Sequence, residues 1–180
     1  MKLFFLRHTK LDCLQGTCYG QSDVQVAQSF EEEKNKIATK LGGICFNKVF
    51  SSPLNRCASL VKSLGYDEKD VVFDKLLMEL NFGDWEGKLW SEIENTDEAK
   101  LWFDDYLNIS CPNGESYQDL INRVQKFITD LNSCNVHDNI LIVTHAGVIR
   151  AFHAILNNVS PYKAFELKID YGQIIEMDKM

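Results

Sequence analysis

The sequence predicts an α/β protein, a three-layer α/β/α sandwich built around a mostly parallel mixed sheet. Three observations lead there. The segment "NILIVTHAGVIRAFHAIL" (139–156) carries a continuous apolar stretch, Ile140 to Val143, through Thr144-His145-Ala146-Gly147 directly into an apolar helix. That is the strand–turn–helix unit of a parallel sheet. Short apolar runs alternate along the chain with segments of helical period. The first of these runs, "KLFFL", is apolar at consecutive positions, as strands covered on both faces are.

Taken in order, "KLFFL" (2–6) is the first strand and ends at Arg7-His8. Val26, Phe30, Ile37 and Leu41 recur at helical spacing, which predicts a helix over 24–41, stopped by Gly42-Gly43. "KVFSSP" (48–53) is a short strand that gives way to a helix over 54–64, and "VVF" (71–73) is a third strand. Two acidic amphipathic segments follow at 89–95 and 98–108. Leu120, Val124, Phe127, Ile128 and Leu131 share one face of a helix predicted over 115–131. Beyond the 140–143 strand and its helix, strands are predicted at 165–169 and 174–177, with Tyr171-Gly172 as the turn between them.

A length of 180 residues with three prolines, no repeat and no linker predicts one domain over 1–180. Hydrophobic residues at 45% and charged residues at 25% are ordinary globular values. The net charge of -7 argues against nucleic acid or an anionic membrane as partner. An anionic small molecule would therefore need a cationic pocket able to overcome the global field. No apolar run is long enough to span a bilayer, and Arg7, His8 and Lys10 break the opening patch before a signal-peptide core forms. The expected address is cytoplasmic. Six cysteines without a Cys-x-x-Cys pair, and without zinc spacing to His137 or His153, are expected to be reduced structural thiols.

The chemistry-bearing residues fall at strand ends. The first strand ends in Arg7-His8, the second in Ser51-Ser52-Pro53 with Arg56 a turn into the next helix, and the later one in His145. If these ends share one edge of the sheet, two histidines and two guanidiniums meet where α/β folds bind ligands, beside helix N-termini. Such a set suits a phosphate dianion: arginine stays charged and grips phosphoryl oxygens bidentately. A nucleophilic imidazole must be neutral at the attacking nitrogen, so its other nitrogen should donate to a backbone carbonyl. A second, protonated histidine would add a donor, and a nearby carboxylic acid would protonate the leaving oxygen. Each residue also has a plainer account. Arg7 and Arg56 could be surface charges, His145 a satisfied core histidine, and Trp85 with Trp90 core packing. Arg150 could face substrate or solvent.

Four motifs in order give these residues a family context. "FLRHT" (5–9), "SSPLNR" (51–56), "LMELNFGDWEG" (77–87) and "VTHAGVIR" (143–150) resemble the signatures of the histidine phosphatase superfamily, the phosphoglycerate mutase-like proteins. The resemblance spans nearly the whole chain and implies a phosphomonoesterase that works through a phosphohistidine. Carried over by position, it makes His8 the nucleophile and Arg7, Arg56 and His145 the phosphate-binding groups, with Glu79 the preferred proton donor. Glu86 is the second candidate for proton donor, and Glu86 and Arg150 are further candidate substrate contacts. The chain departs from the pattern at Thr9-Lys10, where many members carry an acid. "CYGQSDV" (18–24), "NFGDWEG" with Trp90 after it, and "NGESYQDL" (113–120) bring it nearest to the alpha-ribazole phosphatase branch. The implied substrate is a small phosphate ester, with no metal and no cofactor. Sugar-phosphate hydrolysis, mutase chemistry and an idle binding module are the competing expectations.

Overall fold

The computed structural model describes residues 1–179. Strand β1 (Lys2–Arg7) leads through a long loop to helix α1 (Phe30–Leu41), then β2 (Lys48–Ser51), α2 (Asn55–Ser63) and β3 (Val71–Phe73). Helices α3 (Trp90–Ile93), α4 (Asp97–Asp104) and α5 (Tyr117–Asp130) come next, followed by β4 (Asn139–Thr144) and α6 (Ala146–Leu156). The chain closes with α7 (Pro161–Phe165) and β5 (Ile174–Asp178). Five strands form one sheet in the order β3-β2-β4-β1-β5. The pairs β3–β2, β2–β4 and β4–β1 are parallel, and β5 runs antiparallel to β1. The sheet is mixed and mostly parallel, as expected.

Why the strands read as unbroken apolar runs is visible in their two faces. Leu3 and Phe5 of β1, with Ile140 and Ile142 of β4, pack against α5 and α6. Phe4 and Leu6, with Leu141 and Val143, pack on the other side against Ile37 and Leu41 of α1 and Leu60 and Val61 of α2. Successive side chains point to opposite faces, so a strand covered on both sides must be apolar throughout.

Helix boundaries follow their caps. Ser116 and Asp119 form a reciprocal capping box that starts α5 (Asp119 N to Ser116 Oγ 3.2 Å, Ser116 N to Asp119 Oδ2 2.9 Å). Gly42 ends α1, and Gly43 turns the chain at φ 87°. Two expectations fail. Residues 24–29 are not helical, because Val26 is drawn into a bridge with Leu11, and the helix begins at Phe30. No strand forms at 165–169: Ser160 accepts from Lys163 N at 3.3 Å and Pro161 occupies the first helical turn, which makes a short helix ending at Phe165. Apolar content at Phe165, Leu167 and Ile169 imitates strand alternation, but the Ser-Pro start outweighs it.

Phe152 of α6 is fully buried and touches Phe5 of β1 at 4.6 Å and Phe127 of α5 at 5.9 Å between ring centroids. It locks two helices to the sheet. Phe152→Ala should cost about 3–5 kcal/mol through lost contacts and an unfilled cavity, read from the urea-denaturation midpoint.

Candidate active site

Sheet order places the predicted residues together. β4 lies between β1 and β2, with Arg7 opposite Thr144 and Ser51 opposite Val143. The three carboxyl ends therefore stand side by side. His8 N donates to Thr144 O at 3.1 Å and Ser52 N to Val143 O at 2.9 Å, carrying the pairing one residue past the strands. His8, Ser52 and His145 emerge next to one another, and Arg56 reaches them from the first turn of α2.

The His8 imidazole is 1% exposed and its Nδ1 lies 2.8 Å from Thr9 O. A carbonyl oxygen only accepts, so Nδ1 carries the hydrogen and Nε2 keeps its lone pair. Burial, and next the guanidinium of Arg56, hold this ring well below the usual histidine range; the Thr9 bond acts in the opposite sense and is outweighed. The ring is therefore neutral near pH 7, with a nucleophilic lone pair at Nε2.

Arg56 is fully buried. Its Nε donates to His145 Nδ1 at 3.3 Å, its Nη1 to Ser22 O at 2.9 Å, and its Nη2 to Gly20 O. His145 also has no exposed surface, and its Nε2 lies 2.8 Å from Ser52 Oγ. With Nδ1 accepting, Nε2 is the protonated nitrogen and His145 is neutral, against the expectation of an imidazolium. Burial and then Arg56 push it well below the usual range. Arg7 donates through Nη1 to Ile169 O at 2.6 Å, while its buried Nε finds no acceptor among the described residues. Neither Arg7 nor Arg56 has a carboxylate within ion-pair distance among those residues. The site is a buried cluster of positive charge whose arginines have no paired carboxylate among the described residues.

Glu79 stands at the start of α6, where Gly147 N donates to its Oε2 at 3.2 Å and Leu80 N to its Oε1 at 3.0 Å. The first turn of α6 thus holds a carboxylate of this chain, as the first turn of α2 does through Asn55 N and Asp23 Oδ1 at 2.9 Å. The helix N-termini beside which the sequence placed the histidines and guanidiniums thus anchor the site's loops. Glu86 points into the 20–22 loop, accepting from Gln21 N, Ser22 N and Phe82 N. Arg150 donates through Nε to Leu167 O at 3.0 Å, its guanidinium lies 4.9 Å from the Phe165 ring, and it stands within electrostatic reach of Glu79 and Arg7. Trp85 and Trp90 pack with Trp102, as core residues.

Some residues of the site escaped the sequence reading. Tyr171 covers Arg7 at 3.9 Å and Tyr19 covers Arg56 at 5.2 Å, and their hydroxyls meet at 3.1 Å beside His8. Burial and the Tyr171 hydroxyl raise the Tyr19 phenol above its usual range, so it stays protonated. Arg123 donates to Glu79 O at 2.9 Å while its guanidinium engages both oxygens of Glu115 (2.9 and 3.1 Å), which fixes the backbone that carries Glu79. Ser52 is visible inside the "SSP" motif, whereas tyrosines and a helical arginine give no signal in sequence that separates them from packing and surface residues.

The sequence profile of the histidine phosphatase superfamily (branch 1) matches residues 3–179. The adenosylcobalamin/alpha-ribazole phosphatase of Escherichia coli (strain K12) is 27% identical over 178 residues, 96% of this chain and 87% of that protein. The crystal structure of the alpha-ribazole phosphatase from Shigella flexneri superposes with a TM-score of 0.91 at 26% identity, covering 99% of this chain and 90% of that one. A mycobacterial glucosyl-3-phosphoglycerate phosphatase shares the fold, with a TM-score of 0.84 at 23% identity over 97% of this chain and 88% of its own.

Two buried neutral imidazoles make folding pH-dependent. In the unfolded chain they titrate near ~6.5, while in the fold burial and Arg56 keep them neutral to lower pH. Below that value the unfolded state binds more protons, so stability falls as pH drops, by up to about 1.4 kcal/mol per pH unit for each histidine. Urea denaturation between about pH 7.5 and 5.5 should show the loss, and His145→Asn should flatten it.

Proposed function

Since this chain belongs to the histidine phosphatase superfamily (branch 1) and is a phosphatase of that family, we propose that it hydrolyses small phosphate monoesters through a phosphohistidine at His8. The observation that carries this reading is the locked tautomer: Thr9 O holds the Nδ1 hydrogen, leaving Nε2 as a neutral nucleophile beside two guanidiniums that lack carboxylate partners among the described residues.

In this reading the phosphoryl group sits between His8 and Glu79, its oxygens held by Arg7, Arg56 and His145. His8 Nε2 attacks phosphorus as the bond to the ester oxygen breaks, and Glu79 gives its proton to the departing alkoxide. The guanidiniums meet the charge spread over the phosphoryl oxygens in the transition state. Water then attacks the phosphohistidine, Glu79 takes its proton, inorganic phosphate leaves and His8 is restored. His145 keeps its Nδ1 as the acceptor for Arg56 Nε and turns its Nε2 hydrogen, which lies on Ser52 Oγ in this structure, to a phosphoryl oxygen. Arg150, within electrostatic reach of Glu79 and Arg7, is a further contact for the substrate in this account.

The substrate we assign is alpha-ribazole 5'-phosphate, on the strength of the Escherichia coli and Shigella flexneri relatives. The chain acts as one domain over 1–180. Six free cysteines, three of them buried, fit a cytoplasmic address.

The test measures phosphate release from alpha-ribazole 5'-phosphate, 3-phosphoglycerate and an aryl phosphate with EDTA present. Preference for the ribazole ester supports the assignment; activity confined to the aryl phosphate sinks the substrate and keeps the chemistry. His8→Ala should lose at least about a thousandfold on every substrate. Glu79→Gln should slow the alkyl esters by about 10²–10⁴ and the aryl phosphate far less, because a phenolate leaves without a proton. Equal losses on both would remove Glu79 from the role of proton donor.

A further inference from the structure

We propose that Glu86 is a positioning residue for Arg56, acting across the Gly20–Gln21 peptide; this rests on the reading of Arg56 as a phosphate-binding group. The two halves of that one peptide unit face opposite charges. Its N–H, on Gln21, donates to Glu86 Oε1 at 2.8 Å, and its carbonyl, on Gly20, accepts from Arg56 Nη2. A carboxylate drawing on the N–H polarises the peptide and makes its carbonyl a stronger acceptor, so the two bonds reinforce each other.

At Ser22 the same two side chains grip one residue through its two flanking peptides. Ser22 N donates to Glu86 Oε2 at 2.7 Å, and Ser22 O accepts from Arg56 Nη1 at 2.9 Å. Phe82 N gives a further bond to Oε1 at 3.1 Å, so both carboxylate oxygens are engaged as acceptors. Glu86 therefore has no oxygen turned toward a leaving group. Gly20 is required by the same geometry: at φ 39°, a Cβ there would collide with Glu86 Oε1 and with Leu80 O.

The consequence lies in which N–H groups of Arg56 stay free. Its Nε is given to His145 Nδ1, and one hydrogen of each Nη to the carbonyls of Gly20 and Ser22. That fixes the guanidinium plane and leaves the remaining N–H on each Nη for phosphoryl oxygens. Glu86 lies on the same loop as Glu79, and Gln21 Nε2 donates to Glu79 O at 2.9 Å. The 20–22 segment thus ties the loop bearing the acid to the helix bearing the arginine.

The experiment is calorimetric binding of inorganic phosphate and orthovanadate, so that no turnover is needed. Four proteins are compared: wild type, Glu86→Gln, Arg56→Lys and the double variant. The expected result is about tenfold weaker phosphate binding in folded Glu86→Gln, and less than about twofold further loss when the same change is made on Arg56→Lys. A stapling role confined to loop stability would lower the urea midpoint and leave phosphate affinity unchanged, which overturns the inference. Equal losses on both backgrounds also overturn it. If Glu86→Gln does not fold, Glu86→Asp, which draws the carboxylate back from Gln21, is measured in its place against the same outcomes. Failure of wild type to bind either anion would overturn the phosphate-site reading itself, and this inference with it.

Discussion

A fully buried guanidinium with no carboxylate beside it among the described residues is the constraint around which this molecule is arranged. Moving a cation out of water costs many kcal/mol unless its N–H groups are satisfied. Arg56 meets that demand with two backbone carbonyls and an imidazole nitrogen, all uncharged. Three of its five N–H groups are satisfied, and its charge is not. Arg7 adds a second cation whose buried Nε is left over among the described residues. Burial, and next the field of Arg56, keep His8 and His145 neutral, and the positive field of the two arginines makes an arriving dianion the natural counter-charge in a protein of net charge -7.

Holding such a cluster requires rigid surroundings, and the sheet order supplies them. Placing β4 between β1 and β2 brings three chain segments to adjacent strand ends, each pinned to its neighbour by a backbone hydrogen bond beyond the last paired residue. The loops over the site are then held by carboxylates: Glu79 on the first turn of α6, Asp23 on that of α2, Glu86 on the 20–22 segment, and Glu115 through Arg123. Acidic residues thus surround the cationic pocket at one remove. They fix its geometry through peptide groups or through Arg123 and make no ion pair with Arg7 or Arg56 among the described residues, so they leave that positive charge free for a ligand.

The strands at 2–7, 48–51, 71–73 and 139–144 were legible because burial on both faces demands consecutive apolar residues, a pattern that local sequence shows directly. The strand proposed for 165–169 was misread, because three alternating apolar residues weigh less than a Ser-Pro helix start. The motif residues His8, Arg56, His145 and Glu79 stood out by their place after apolar runs or within recognisable segments. Tyr171 and Arg123 did not, and Tyr19 stood within "CYGQSDV" with no sign of its role, since their contacts join residues as far apart as 152 positions along the chain and leave no local pattern.

Residue types and their order along the chain were enough to specify an α/β sandwich and the family, because both rest on short-range patterns: apolar runs, caps, and motifs a few residues long. Charge states and orientations were settled elsewhere. Whether His145 carries a proton depends on Arg56 donating to its Nδ1 from 89 residues away. Whether Glu86 faces a ligand or a backbone depends on where the 20–22 loop lies across it. Electrostatics and hydrogen-bond direction act through space over a few ångströms, and those distances exist only after the sheet has brought its strand ends together.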